Sequence, residues 1–281
     1  MNFVVKESFV QGKSLTGVCE DGWVESADYV AVVDGATSKS DFKIDECSTG
    51  QKAMEIILET ISELSPGLSA FEVIRFINES IVRYYKAHRI FDKVTRFPEM
   101  RLTASAAIYC HSRNEVWLIG DCLCRIGEIC FRNNKKIDSI LSETRSFILF
   151  SALQKGASIR DLQKNDIGRH FIYPMLKEQS IWQNNSNGNP EYCYAVLDGF
   201  PVNHSLIRII PVDSDSVVLA TDGYFDLFGT LQETERALLD YIETDPLCIG
   251  MGCNKNNKST KGLLPGNCSF DDRTYIRICR F

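Results

Sequence analysis

Two short apolar runs limit the folds open to this chain more than any other feature. Tyr29-Val30-Ala31-Val32-Val33 and Ser216-Val217-Val218-Leu219-Ala220 are nearly unbroken and rich in β-branched residues. Runs of this length and composition read as strands covered on both faces. Each stops abruptly at an aspartate followed by glycine: Asp34-Gly35 after the first, and Thr221-Asp222-Gly223 after the second. A third acidic point, Phe270-Asp271-Asp272-Arg273-Thr274, precedes the terminal apolar run Thr274–Cys279. Carboxylates at the rims of packed strands hold a hard cation rigidly. Convergence of the three points would make a divalent-metal site suited to phosphoryl chemistry.

With 281 residues the chain is long for one domain but within range for a large sandwich, and no internal repeat or linker divides it. One domain spanning 1–281 is expected. A formal charge of −6 and a pI near 5.4 argue against a nucleic-acid or membrane-surface binder and suit a site that collects cations. No apolar run approaches the roughly 20 residues that span a bilayer. Met1–Lys6 lacks the basic segment and apolar core of a signal peptide. A cytoplasmic location and a monomer are the expectations. The eleven cysteines are scattered rather than paired at zinc-ribbon spacings, so reduced and mostly buried thiols are expected.

Local signals order the elements. Residues 3–18 alternate in polarity, and Cys19-Glu20-Asp21-Gly22 reads as an acidic hairpin turn. A helix begins near Ser48-Thr49 with Met54, Ile57, Ile61 and Leu64 on one face. Ser69 and Glu72 form a capping-box pattern for a second helix bearing Ile74, Ile77, Ile81 and Tyr84. Thr103–Tyr109 and Glu115–Ile119 read as an antiparallel pair across Ser112-Arg113-Asn114. Gly120-Asp121 follows, and then a strand over Cys122–Gly127. Residues 144–182 read as helical, capped at Ser158 and kinked or stopped at Pro174. Tyr192–Leu197 and Ile207–Val212 read as a strand pair, with Asp198-Gly199 an ordinary turn. Thr230 with Glu233 caps a last helix, and Lys255, Lys258 and Lys261 lie in a long polar loop. That loop reads as solvated, or as a flap whose cations meet an anionic substrate.

Taken in order, these signals resemble the metal-dependent protein phosphatases of the protein phosphatase 2C type. The matching motifs are Glu20-Asp21, Asp34-Gly35, Thr103-Ala104, Gly120-Asp121, Asp222-Gly223-Tyr224-Phe225-Asp226 and Asp271-Asp272-Arg273-Thr274. They run in the family's order over nearly the whole chain. The resemblance implies an α+β fold, a four-layer α-β-β-α sandwich of two antiparallel sheets flanked by helices. It implies two Mn2+ or Mg2+ ions, with a third, weaker site in addition. Asp34 would bridge the two ions, the Gly35 carbonyl would help bind one, and Asp222 and Asp271 would complete the other. Glu20 and Asp21 would act nearby, and Asp121 and Asp226 would be the outer acidic positions. Asp34 and Asp222 are the residues expected to carry catalysis.

The implied activity is hydrolysis of phosphoserine and phosphothreonine in proteins. Two divalent ions lower the pKa of a water between them and neutralise charge on the phosphoryl oxygens. The chain departs from the family where a histidine would serve as general acid, since Ala36 stands there. No arginine precedes the acidic pair as a phosphate clamp, and Lys13, the nearest upstream cation, is too far away by spacing. One of His88, His111, His170 and His204 could replace the missing acid, although the sequence favours none of them. These departures keep open a second reading, a catalytically weak phosphatase-like module that binds or regulates.

Overall fold

The structure is a computed structural model, and it describes residues 3–280 apart from 38, 40, 41 and 45. Among the described residues, ten strands make two five-stranded sheets whose strand pairings are all antiparallel. Strands β1 (Phe3–Gln11), β10 (Arg273–Arg280), β9 (Ser216–Ala220), β6 (Leu123–Ile126) and β7 (Ile129–Arg132) lie side by side in that order. The second sheet has the order β2 (Asp21–Glu25), β3 (Tyr29–Gly35), β4 (Ala104–Cys110), β5 (Glu115–Ile119) and β8 (Arg208–Pro211).

The sheets pack through Val30, Val32, Ala107, Tyr109 and Leu118 on one side and Cys124, Val217, Leu219, Ile276 and Ile278 on the other. Alternate residues of the same strands face outward. Ala31, Val33, Ala106 and Ile108 meet Ile57, Ile61, Ile77 and Ile81 of helices α1 (Thr49–Glu63) and α2 (Ala70–Ala87). On the opposite face, Val218, Ala220 and Tyr275 meet Leu238, Tyr241 and Ile242 of α7 (Leu231–Thr244). The expected four layers are therefore present, and strands buried on both faces explain the unbroken apolar runs. Short α3 (Phe91–Arg96) follows α2. Helices α4 (Lys136–Gln154), α5 (Ile159–Lys164) and α6 (Ile167–Glu178) form a further group with its own small clusters around Leu149 and Ile172.

Local caps match the sequence reading. The Ser48 hydroxyl accepts from the Gln51 N–H, Ser69 and Glu72 make both bonds of a capping box, and Thr230 accepts from the Glu233 N–H. The span 144–182 is helical as read, in α4, α5 and α6, with Ser158 capping α5 through the Asp161 N–H, and Pro174 sits inside α6 without ending it. Three expectations fail. Asp21-Gly22 is not a hairpin turn but the start of β2, and β1 and β2 belong to different sheets. Tyr192–Leu197 forms isolated bridges from Leu197 to Ala104 and from Tyr194 to Gln183, while β8 pairs with β5 instead.

Asp198, the third, is not an ordinary turn. It is fully buried and accepts from Arg101, Gln183, Asn184 and the Phe200 N–H. Four donors on one carboxylate satisfy a buried charge that would otherwise be costly. All the cysteines are free thiols; Cys110, Cys122, Cys124 and Cys248 are buried, whereas Cys130 and Cys253 are exposed. Among the described residues no helix is long and apolar enough to cross a membrane.

Candidate metal centre

Antiparallel pairing assembles the site at one end of the sandwich. Asp21 on β2 lies directly opposite Asp34 on β3, and Asp34 lies opposite Ser105 on β4. Directly opposed residues share a face of the sheet. The Ser105 hydroxyl then bonds Asp121 at 2.5 Å, just where the chain leaves β5 at Gly120 to enter the other sheet. From that sheet, Asp222 follows the end of β9, and Asp271 and Asp272 precede β10, its antiparallel neighbour.

The result is a compact acidic floor. Carboxylate oxygens of Asp34, Asp121 and Asp222 all lie within 4.8 Å of one another. Asp21 lines the same cavity, and its Oδ2 is buried with no hydrogen-bond partner among the described residues. Burial raises the Asp34 carboxyl well above the usual range, reinforced by Asp222, Asp21 and Asp121. Asp21 is raised likewise, by burial first and then by its acidic neighbours against an opposing Thr221 bond. Burial, Asp271 and Asp121 push Asp222 up to about 7. Such a cluster is short of positive charge. An orphaned carboxylate oxygen and an all-oxygen donor set fit a hard divalent cation such as Mg2+ or Mn2+. Asp34, Asp121, Asp222 and Asp21 would hold it.

Two glycines allow the backbone to close over this floor. A Cβ on Gly35 would stand 2.3 Å from the Gly50 carbonyl oxygen in the first turn of α1, so the end of β3 presses against that helix. A Cβ on Gly223 would stand 2.1 Å from the Asp272 carbonyl oxygen, so the turn after β9 lies flat on the start of β10. The two Asp-Gly pairs thus owe their glycines to close approach rather than to hairpin turns.

The other residues expected at the site are distributed unevenly. Glu20 is buried and accepts from Thr37 at 2.6 Å and Ser48 at 2.5 Å, so it ties the β3–α1 loop to the floor. Asp272 is a clasp: its carboxylate accepts from the Lys13 and Glu20 N–H groups and from the Lys13 ammonium. Asp271 is ion-paired with Lys261 and lies 3.6 Å from the Lys13 Nζ. Burial acts to raise Asp271, but Lys261 and Lys13 outweigh it and hold the carboxyl below its ordinary range. Asp226 is not brought to the floor. It is exposed, and its carboxylate accepts from Asn257 at 3.2 Å.

Three lysines at the floor escaped the sequence reading or were set aside by it. Lys13 lies far from the acidic pair by spacing, yet its ammonium stands 3.1 Å from Asp272 and 3.8 Å from Glu20. Lys135, at the start of α4, contacts Asp121 at 2.6 Å. That contact outweighs burial and keeps Asp121 below its ordinary pKa. Lys261 belongs to the loop read as solvated but lines the cavity, as does Lys258, which pairs with Glu143. No local pattern marks Lys13 or Lys135; the lysine spacing of the loop was the one available hint for Lys261.

The cavity encloses about 410 Å3, with Lys39, Arg132, Arg169 and Lys177 also among its lining residues. Burial, Lys261 and Arg169 push Lys39 down to about 8. None of the four histidines lines it. His88 and His204 stack on Tyr84 and Phe71, His111 packs between Phe3 and Tyr109, and His170 is exposed. A histidine does not replace the missing acid.

No family model matches the chain, and no curated protein sequence matches it. Its overall architecture is similar to that of solved bacterial structures. The serine/threonine phosphatase PstP of Mycobacterium tuberculosis is 12% identical over 99% of this chain and 98% of its own, with a TM-score of 0.45. Stp1 of Staphylococcus aureus, also a serine/threonine phosphatase, is 11% identical over 98% of this chain and 94% of its own, with a TM-score of 0.48. RsbX, solved with magnesium, is 11% identical over 99% of both chains, with a TM-score of 0.45.

Proposed function

We propose that the chain is a divergent phosphatase of the protein phosphatase 2C type that hydrolyses phosphoserine or phosphothreonine in proteins. One observation carries this reading. Carboxylates from three separate strand ends, Asp34, Asp121 and Asp222, meet on the floor of a cavity that cationic side chains line. A divalent cation held there supplies Lewis acidity and neutralises phosphoryl charge.

The chain's own residues supply the rest. Asp34 and Asp222 are held by strands packed on both faces, so their carboxylates keep their positions without reorganising. Lys39 and Arg169 would draw a phosphoryl dianion toward the floor. Ser105, beside the carboxylates, is committed to Asp121 rather than standing as a nucleophile.

A second reading has its own support. With no histidine in the cavity and an ammonium on Asp271, the site suits a module that binds phosphoproteins without turning them over. Hydrolysis of p-nitrophenyl phosphate and of a phosphothreonine peptide, with Mn2+ and with a chelator, separates the two. Turnover that appears with Mn2+ and vanishes on chelation supports the enzyme. Folded protein that binds Mn2+ and the peptide yet leaves both substrates intact is the binding module, and the phosphatase reading then fails.

A further inference from the structure

We propose that the Lys261 ammonium is a built-in cation filling the Asp271 side of the carboxylate cluster, so that the chain binds a single divalent ion among Asp34, Asp121 and Asp222. The inference rests on the metal-site reading above and departs from the two-ion arrangement that the resemblance implies.

The acids divide into two groups by what faces them. Asp271 is ion-paired with Lys261, and the nearby Asp272 and Glu20 are met by Lys13. These three acids already face two cations from within the chain. Asp34, Asp121 and Asp222 converge as a separate group, whose one ion pair among the described residues is that of Lys135 with Asp121. The buried, unpartnered Oδ2 of Asp21 belongs to the cavity that this group floors.

Lys261 is not carried on a loose tether. Arg145 of α4 is fully buried, and its guanidinium donates to the Leu247, Cys248 and Ser259 carbonyls while pairing with Asp166. Arg169 of α6 donates to the Thr260 carbonyl and hydroxyl, one residue before Lys261. A Cβ on Gly262, one residue after it, would stand 2.9 Å from the Arg145 guanidinium. The Asp245 carboxylate gathers the N–H groups of Ile249, Gly250 and Met251 at the base of the loop. The backbone before Lys261 is therefore held by Arg145 and Arg169, and that after it packs on the Arg145 guanidinium, so the ammonium is delivered to Asp271 by construction. A divalent ion at Asp271 would have to expel a cation that the fold holds there.

The test is ion stoichiometry on the full chain, by equilibrium dialysis against Mn2+ with the free ion read by electron paramagnetic resonance. Wild type should saturate at one ion per chain. Lys261→Met, which removes the ammonium but keeps the stem, should saturate at two, and Lys261→Arg, which restores a cation, at one. Circular dichroism and thermal melts confirm that each variant is folded. Two ions on wild type, or one on Lys261→Met, overturns the proposal while leaving the metal site standing. No ion on any of the three proteins overturns the metal-site reading itself, and this inference with it.

Discussion

Asp21 and Asp34 face each other directly across the β2–β3 pairing, a buried and a half-buried carboxylate on one face of a sheet. Like charges directly opposed cost stability unless something positive intervenes. Asp21→Asn should therefore stabilise the protein in chelator by up to about 1 kcal/mol, or about 2 °C in melting temperature for a chain of this size. The same change should shrink the rise in melting temperature that Mn2+ produces. Melts with and without Mn2+ check both halves, and a variant less stable than wild type in chelator would show that the pair is not repulsive.

Gly223 allows the turn after β9 to lie on the Asp272 carbonyl. Gly223→Ala should cost about 1–3 kcal/mol, the range for forcing extra atoms into a packed position. It should also reduce Mn2+ affinity, because the backbone it displaces carries Asp222. Denaturant melts and Mn2+ titration measure the two effects, and full stability would mean that the contact relaxes freely.

Arg145 is a buried guanidinium whose partners are mostly backbone carbonyls of the Lys261 loop. Arg145→Met should cost about 3–5 kcal/mol, as breaking a buried pair does. Release of the loop should precede global unfolding, so trypsin should cleave after Lys255, Lys258 or Lys261 faster than in wild type. Unchanged cleavage would mean that other contacts suffice to hold the loop.

A pH dependence arises away from the metal centre, at Asp28. Burial acts to raise this carboxyl, but bonds from the Ser112 hydroxyl and from the Gly67 and Ser112 N–H groups outweigh it, and the pKa lies below its ordinary 3.8. A lowered carboxyl stabilises the fold above its unfolded-state pKa and loses that contribution as pH falls through the folded one. Wild type should exceed Asp28→Asn in stability at pH 7. The gap should close below about pH 4, where the unfolded chain takes up its proton. Urea melts across that range are the measurement, and a gap that persists in acid would rule out ionisation as its source.

Much of the framework was legible because its causes are local. Ser48, Ser69 and Thr230 cap helices through N–H groups three residues on, so each cap carries its own spacing. The runs ending at Asp34 and Asp222 identified strands covered on both faces. The misreadings came from patterns with two physical causes. Asp21-Gly22 has the letters of a hairpin turn, but its glycine is small because Met54 and Leu58 of α1 press on it. Asp198-Gly199 has the same letters, yet Asp198 is a buried acceptor for Arg101, Gln183 and Asn184.

The sequence by itself determined the strands that end near Asp34 and Asp222, the caps and which acids stand at strand ends, since each depends on neighbours a few residues away. Only the tertiary structure decided which acids meet one another and which meet a lysine. Lys13 reaches Asp272, Lys135 reaches Asp121 and Lys261 reaches Asp271. Of these pairs, Lys13 and Asp272 lie 259 residues apart in the chain. Spacing carries no information about contacts made by sheet register and loop packing, and those contacts set the charge left at the centre for a metal to balance.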